Sequence, residues 1–474
     1  MVLTARTAAT NLLQEINMRA SAITQVESIV GSEHTLTDEA DLFLYSYDAS
    51  FPEFRPDLVA FPRTAEQVSA IMALASEERV PVVPRGAGTG LSGGSVPLKG
   101  GIALGLSKMS RLLNVDPDNL TATAEPGLVN AHLQAALAPL GLFYPPDPAS
   151  MKVCTLGGNV AEDAGGPKCF KYGVTRNYVL GLEAVLPNGG VLHTGGCVVK
   201  NTTGYDLTRL LVGSEGTLGI FTQMVLKLLP VPEGTRTMLA LFDSLESASR
   251  TVGAIVAASI IPSALELMDN LLIRCAEDYT HVGLPEDAAA LLLIEVDGAD
   301  AGLDAQVEII RRICDREGAR ELRVASSTEE VDALWLARRT VIGAAGRLRP
   351  SLVIQDVTVP RSALPEMVAK VEAISEMHGL PIGVLAHAGD GNLHPIVLFD
   401  GRDSEELRRE KAVEKEIIAA ALEMGGTLTG EHGIGISKLD YVDMQLGDQE
   451  TTINKGLKAL FDPHNILNPG KMVA

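Results

Sequence analysis

Three of the nine histidines stand in two short glycine-rich segments, His387-Ala388-Gly389-Asp390-Gly391-Asn392-Leu393-His394 and Gly430-Glu431-His432-Gly433-Ile434-Gly435. His387 and His394 do not fit the HExxH pattern, in which both imidazoles share one helix face. Both segments read instead as strand ends or loops. Two imidazoles and a carboxylate still match the donor set of a divalent-cation site with open coordination positions. The plainer alternative is a group of hydrogen-bonded structural histidines with glycines for turns.

A second kind of chemistry belongs to the glycines. Pro84 is followed by Arg85, Gly86, Ala87, Gly88, Thr89, Gly90, Leu91, Ser92, Gly93 and Gly94, which contain a literal GxGxxG. The context of a dinucleotide fingerprint is missing. Ser95-Val96-Pro97 cannot open a helix, and no acidic residue stands about 20 positions on at a strand end. What remains is a run of small residues whose backbone N–H groups can turn toward one centre and cradle a pyrophosphate, or else an ordinary long turn. Two further stretches favour the cradle. One is Leu156-Gly157-Gly158-Asn159 with Ala164-Gly165-Gly166, soon after Pro145-Pro146-Asp147-Pro148. The other is Gly213-Ser214-Glu215-Gly216-Thr217-Leu218-Gly219. Three such loops in one domain suit an extended cofactor lying against backbone, and a dinucleotide has that length.

The arginines supply a third signal. Ser327-Thr328-Glu329-Glu330 is a capping box opening a helix that carries Trp335, Arg338 and Arg339, with Arg347 shortly after it. Arg338 lies one turn beyond Trp335, so both can face one cleft, where a guanidinium can hold a carboxylate with two prongs. A solvated helix surface is the alternative. Local cations matter here because the chain has 39 Lys+Arg against 60 Asp+Glu, a net charge of −21. That charge repels phosphate backbones and anionic lipid, which disfavours nucleic-acid binding.

The elements that must position these residues divide into two textures. At roughly 150 residues per domain, 474 residues suggest two or three domains. A helix at Ala65–Glu78, strands at Pro81–Val83, Gly101–Leu106 and Leu120–Ala124, and a helix at Val129–Leu137 make a first α+β domain, ending near Leu228-Leu229-Pro230-Val231-Pro232. Longer helices follow (Ser244–Ala258, Leu303–Glu317, Thr328–Ala345, Ala363–His378), with strands such as Leu291–Val296 and Leu352–Val359. These read as a second domain of helices on a largely antiparallel sheet. The expected division is 1–229, 230–425, and a glycine- and proline-rich return over 426–474. Cys154, Cys169, Cys197, Cys275 and Cys314 include no CxxC pair, which argues against a disulfide framework, a cysteine zinc site or an iron–sulfur cluster. They read as buried small residues, and Met18, Met72 and Met109 as core. No signal-type core opens the chain and no run is long enough to span a bilayer, so the expected setting is cytoplasmic without direct membrane insertion.

The glycine loop, the GGNVAEDAGG stretch, GSEGTLG, the histidine segments and the terminal Asn468-Pro469-Gly470-Lys471 together resemble the vanillyl-alcohol oxidase type of FAD-linked oxidoreductase. Within that superfamily the motif order resembles the glycolate oxidase flavin subunits, close to the FAD-linked D-lactate and D-2-hydroxyglutarate dehydrogenases. The resemblance implies a two-subdomain FAD-binding domain and a ferredoxin-like α+β cap. It implies FAD with its pyrophosphate over Arg85–Gly94 and further contacts at Pro146, Asp147, Gly157, Gly158, Asn159, Ala164, Gly166, Glu215, Gly219, Ile220 and Asn468. Some members attach the flavin to a loop histidine; none stands in this loop, so the FAD is expected to be non-covalent. A divalent metal, zinc or manganese, is implied at His387, His394 and Glu431, with His432 as the base and Arg338 and Arg347 at the substrate carboxylate.

The implied activity is oxidation of a 2-hydroxy acid, with electrons leaving through an iron–sulfur subunit and a second flavin-type subunit that could bring the chain to a membrane. The 2-hydroxyglutarate enzymes have a lysine where Gln355 precedes Asp356, and a threonine where Ile342 follows Arg338 by one turn. Both losses favour glycolate or D-lactate over D-2-hydroxyglutarate. Other readings are a flavin-holding accessory subunit without catalysis and a metal-dependent hydrolase on a glycine-rich fold.

Overall fold

The computed structural model describes residues 18–50 and 53–473; the reading of the N-terminus as free of a signal-type core lies, for residues 1–17, outside the described residues. Contacts divide the chain into two units. Of the described residues, one holds those from Met18 to Gly165, Val174–Val231 and those from Glu431 on; the other holds Gly166–Gly173 and Pro232–Gly430.

The first unit contains two larger sheets and a two-stranded pair, Leu142–Phe143 with Leu229–Pro230. Thr64 caps the helix Ala65–Glu78 by accepting from Gln67 N, and its apolar face (Val68, Ile71, Met72, Ala75) is buried. Truncating Ile71 or Met72 to alanine would cost about 2–5 kcal/mol. This helix returns the chain to Val82–Arg85, which pairs parallel with Ile102–Gly105, itself parallel to Leu58–Ala60; Thr35–Leu36 adds an antiparallel edge. The second sheet is antiparallel, in the order Leu112–Asp116, Thr121–Ala124, Ile220–Lys227, Val179–Val185, Val191–Gly195. Met18, Met72 and Met109 all lie in the core.

The second unit is an antiparallel sheet in the order Ala319–Val324, Gly234–Phe242, Ala290–Gly298, Ala264–Asp269, Ile382–His387, Asn392–Phe399, Ser351–Ile354, with Val357–Thr358 also paired to Asn392–Phe399. The strand Leu291–Val296 anticipated in the sequence is central and buried along its length. Helices Leu245–Ala257, Asn270–Thr280, Asp300–Glu317, Thr328–Ala345, Leu364–His378 and Ser404–Glu423 accompany it.

Three features differ from the sequence reading. Residues 166–173 pack with the second unit, because the Lys171 ammonium and the Tyr172 hydroxyl both bind the Asp297 carboxylate and Phe170 lies under Arg361. The strand expected over Leu352–Val359 is interrupted at Gln355-Asp356, where the buried Asp356 carboxylate turns to bind Asn392 Nδ2 at 2.8 Å. Cys197 is exposed and Cys169 half-buried, while Cys154, Cys275 and Cys314 are buried. No helix of the described residues is long and apolar enough to cross a membrane.

Candidate active site

In the first unit, the strand Val82–Arg85 delivers the chain into the glycine loop, and a cleft runs along it. Arg85, Gly86, Ala87, Gly88, Thr89, Gly90, Leu91 and Gly94 line one side. Gly157, Gly158, Asn159, Ala164, Glu215, Gly219 and Ile220 line the rest, with Glu431 and His432 in the same wall. Arg85 is buried over the Tyr45 ring, 5.5 Å from its centroid, and desolvation pulls its pKa down while Asp48 opposes the shift. The loop thus presents small residues and one desolvated cation. A Cβ at Gly86 would collide with Thr155 Oγ1, the hydroxyl that caps the short helix Leu156–Glu162 through Gly158 N. That close approach explains why glycine is needed there.

Several expected flavin contacts stand behind the cleft instead. Asn468 donates its amide to Gly94 O (2.9 Å) and Glu215 O (2.7 Å), and Lys471 Nζ donates to Gly94 O (2.8 Å). The terminal NPGK segment therefore staples two glycine loops together. The Ser92 carbonyl accepts from Ile436 N at 2.7 Å, and Gly93 packs against Ile436. Pro146 holds Asn130 through its carbonyl at 3.1 Å. Pro146 and Asp147 do not line the cleft, and Gly166 belongs to the other unit.

The segment that carries Glu431 and His432 is pinned from below. Glu215, buried and at φ 51°, accepts from Ile434 N and Gly435 N, both at 2.7 Å. Glu162, a cleft residue the sequence reading did not single out, is half-buried near it. Desolvation, then the charges of Glu215 and Asp48, push its carboxyl well above the usual range. Burial likewise lowers the Lys471 ammonium to about 7. A Cβ at Gly165 would strike Glu431 Oε2, so that glycine makes room for the carboxylate. His432 Nε2 lies 3.9 Å from Glu431 Oε1.

In the second unit, strand pairing positions the other two histidines. His387 lies opposite Asn392 and His394 opposite Leu385, so the two imidazoles share one face of a hairpin, with ring centroids 5.1 Å apart. Glu266 is opposite His387 on the neighbouring strand, and its carboxylate meets His387 Nδ1 at 2.7 Å. His394 Nδ1 points to Gln355 O at 3.3 Å. In both rings an acceptor at Nδ1 favours the tautomer whose lone pair is on Nε2, the arrangement that suits a metal-ligating imidazole.

Arg338 is buried and binds Glu266 through Nε at 2.6 Å and Nη2 at 2.5 Å. Its other edge remains the one suited to a two-pronged carboxylate contact. Burial alone would raise the Glu266 carboxyl; Arg338, and then His387, outweigh it and hold it below the ordinary value. Trp335, one turn earlier, donates Nε1–H to the buried Glu295 at 3.0 Å, so both residues dock on glutamates of the sheet. Arg347 is placed elsewhere: its side chain is 55% exposed, pairs with Asp278 at 3.0 Å and lies over Tyr279. The sequence gives Arg347 no such partner, since both lie on a helix about 70 residues earlier.

Asp356 holds the end of this unit. It accepts from Thr429 Oγ1 (2.6 Å) and Gly430 N (2.9 Å), immediately before the chain leaves for Glu431 and His432.

The first unit carries the glycine-lined cleft and the second an antiparallel sheet with its helices, an α+β architecture in each. Solved structures agree on the fold: p-cresol methylhydroxylase with substrate bound (TM-score 0.81, 18% identity, 97% of this chain and 98% of that one) and 4-ethylphenol oxidase from Gulosibacter chungangensis (0.77, 21%, 95% and 96%). An FAD binding domain model matches residues 56–195, and a model of the C-terminal domain of FAD linked oxidases matches 231–472. The chain belongs to the FAD-linked oxidase family. Similar curated proteins are the glycolate oxidase subunit GlcD of Bacillus subtilis (46% identical, 95% of this chain and 96% of the relative) and that of Escherichia coli K12 (42%, 94% and 89%). A D-lactate dehydrogenase of Anaerostipes hadrus is 34% identical over 91% of this chain and 92% of the relative.

Proposed function

We propose that this chain oxidises a small 2-hydroxy acid, glycolate or D-lactate, to the 2-oxo acid, using non-covalent FAD and a divalent ion. The observation that carries this reading is His432 in the wall of the cleft that the glycine loop lines. The cradle of small residues around the buried Arg85 suits a pyrophosphate. The Nδ1-anchored His387 and His394, with the Glu431 carboxylate, have the chemistry of a zinc or manganese donor set.

When bound, FAD supplies the hydride acceptor and the metal a Lewis acid that lowers the pKa of the substrate hydroxyl. The protein's own share begins with Arg338, whose outer edge takes the substrate carboxylate and orients the carbon–hydrogen bond. His432 then receives the hydroxyl proton on its imidazole, a side chain suited to act as a base at neutral pH. By the resemblance, Gln355 and Ile342 replace a lysine and a threonine of the 2-hydroxyglutarate enzymes; Ile342 packs against the apolar core and Gln355 is uncharged, so neither position offers a cation to a second carboxylate. Electrons leave to a partner subunit, on this reading one that carries iron–sulfur clusters; the relatives' names as subunits support a partner.

The test is the anaerobic visible spectrum of the metal-loaded protein before and after glycolate and D-lactate. Bleaching of the oxidised flavin band is expected with at least one. A band unchanged by both acids overturns the substrate class.

A further inference from the structure

Glu266 lies between leucines in the strand Ala264–Asp269, with no exposed surface, and the proposed chemistry gives it no part. A buried carboxylate without cationic partners is costly enough to be rare. Here both partners are residues of the proposed site. One carboxylate oxygen, Oε2, takes Nε and Nη2 of Arg338, and the carboxylate meets Nδ1 of His387 at 2.7 and 3.0 Å. Strand register fixes this geometry, because Glu266 and His387 are directly opposed on adjacent strands. Helix packing fixes the rest: Trp335 on Glu295 and Arg338 on Glu266 seat two successive turns of Thr328–Ala345 on the sheet.

We propose that Glu266 is a positioning residue that aims the metal-binding and the carboxylate-binding side chains together. By accepting the Nδ1 proton of His387 it selects the tautomer with its lone pair on Nε2 and makes that nitrogen a better donor. By occupying the Nε–Nη2 edge of Arg338 it locks the guanidinium plane, so that the opposite edge meets a substrate carboxylate already oriented. One side chain thereby couples metal affinity to substrate affinity. The inference rests on the proposed metal and carboxylate roles of His387 and Arg338.

Glu266→Gln keeps the shape but puts an amide NH₂ against two donors, so one contact must fail. The expected result is retained FAD, seen in the visible spectrum, with Mn²⁺ affinity by titration calorimetry reduced about 10–100-fold. KM for D-lactate should rise about tenfold or more, with a smaller change in kcat. Wild-type Mn²⁺ affinity together with wild-type KM in a folded Glu266→Gln protein overturns the proposal. If the lone buried cation prevents folding, Glu266→Gln combined with Arg338→Met removes it, and unaltered Mn²⁺ affinity in that double variant overturns the histidine arm. A wild-type protein that binds neither Mn²⁺ nor Zn²⁺ refutes the metal reading itself; KM then decides alone, and an unchanged KM in Glu266→Gln overturns the clamp.

Discussion

The Glu215 carboxylate accepts the backbone N–H of Gly435 at 2.7 Å, across 220 residues of sequence. Its other oxygen takes Ile434 N, so one side chain fixes the loop that follows His432 to the floor of the glycine cleft. Glu215→Ala should orphan two backbone donors, at about 1–3 kcal/mol each. Denaturant unfolding of the FAD-loaded variant is expected to show that loss, and flavin reduction should slow because the His432 loop is no longer held.

His432→Ala should retain FAD and lose about 10²–10⁴-fold in the rate of anaerobic flavin reduction, the range for removal of a positioned general base. Stopped-flow absorbance at the flavin band reads it. An unchanged rate would remove His432 from the proton transfer.

Much of this architecture is readable from local signals. Thr64 and Ser327 each cap the helix they precede, and the apolar spacing after them gives helix bounds that match the structure at Ala65–Glu78 and Thr328–Ala345. His387 falls at a strand end, as its glycine-rich segment indicates, whereas His394 lies within the strand Asn392–Phe399. Glu266 was not legible, because its meaning depends on strand register with a residue 121 positions away. The only local trace is a glutamate set between leucines in the strand Ala264–Asp269. Asp356 was hidden for a related reason: its neighbours suit a continuous strand, and the interruption is set by Asn392, Thr429 and Gly430. Asn468 was readable as part of a terminal motif, but its partners, Gly94 O and Glu215 O, are backbone carbonyls that no side-chain pattern marks.

The absence of histidine from Arg85–Gly94 predicts a dissociable flavin. Acid precipitation of the purified protein should leave the yellow chromophore in the supernatant, and flavin retained on the pellet would show a covalent link through another residue.

A pH-dependent stability difference should arise far from the chemistry, at Glu410. This residue is fully buried on the helix Ser404–Glu423, and neither carboxylate oxygen accepts a hydrogen bond. Lys411 Nζ stands 3.7 Å away but lies closer to Glu414, at 2.8 Å. Desolvation therefore dominates, Lys411 opposes it only in part, and the carboxyl is raised to about 7. A carboxyl whose folded pKa lies above its unfolded value holds its proton longer in the native state. Stability is then greatest below the unfolded pKa near 4.5, declines as pH rises toward about 7, and levels off beyond. Glu410→Gln carries no charge to desolvate, so it should match the wild type near pH 4.5 and exceed it at pH 8 by about 2–3 kcal/mol. Urea unfolding of both proteins across that interval measures the difference, and curves that stay parallel at every pH would show that Glu410 ionises without penalty.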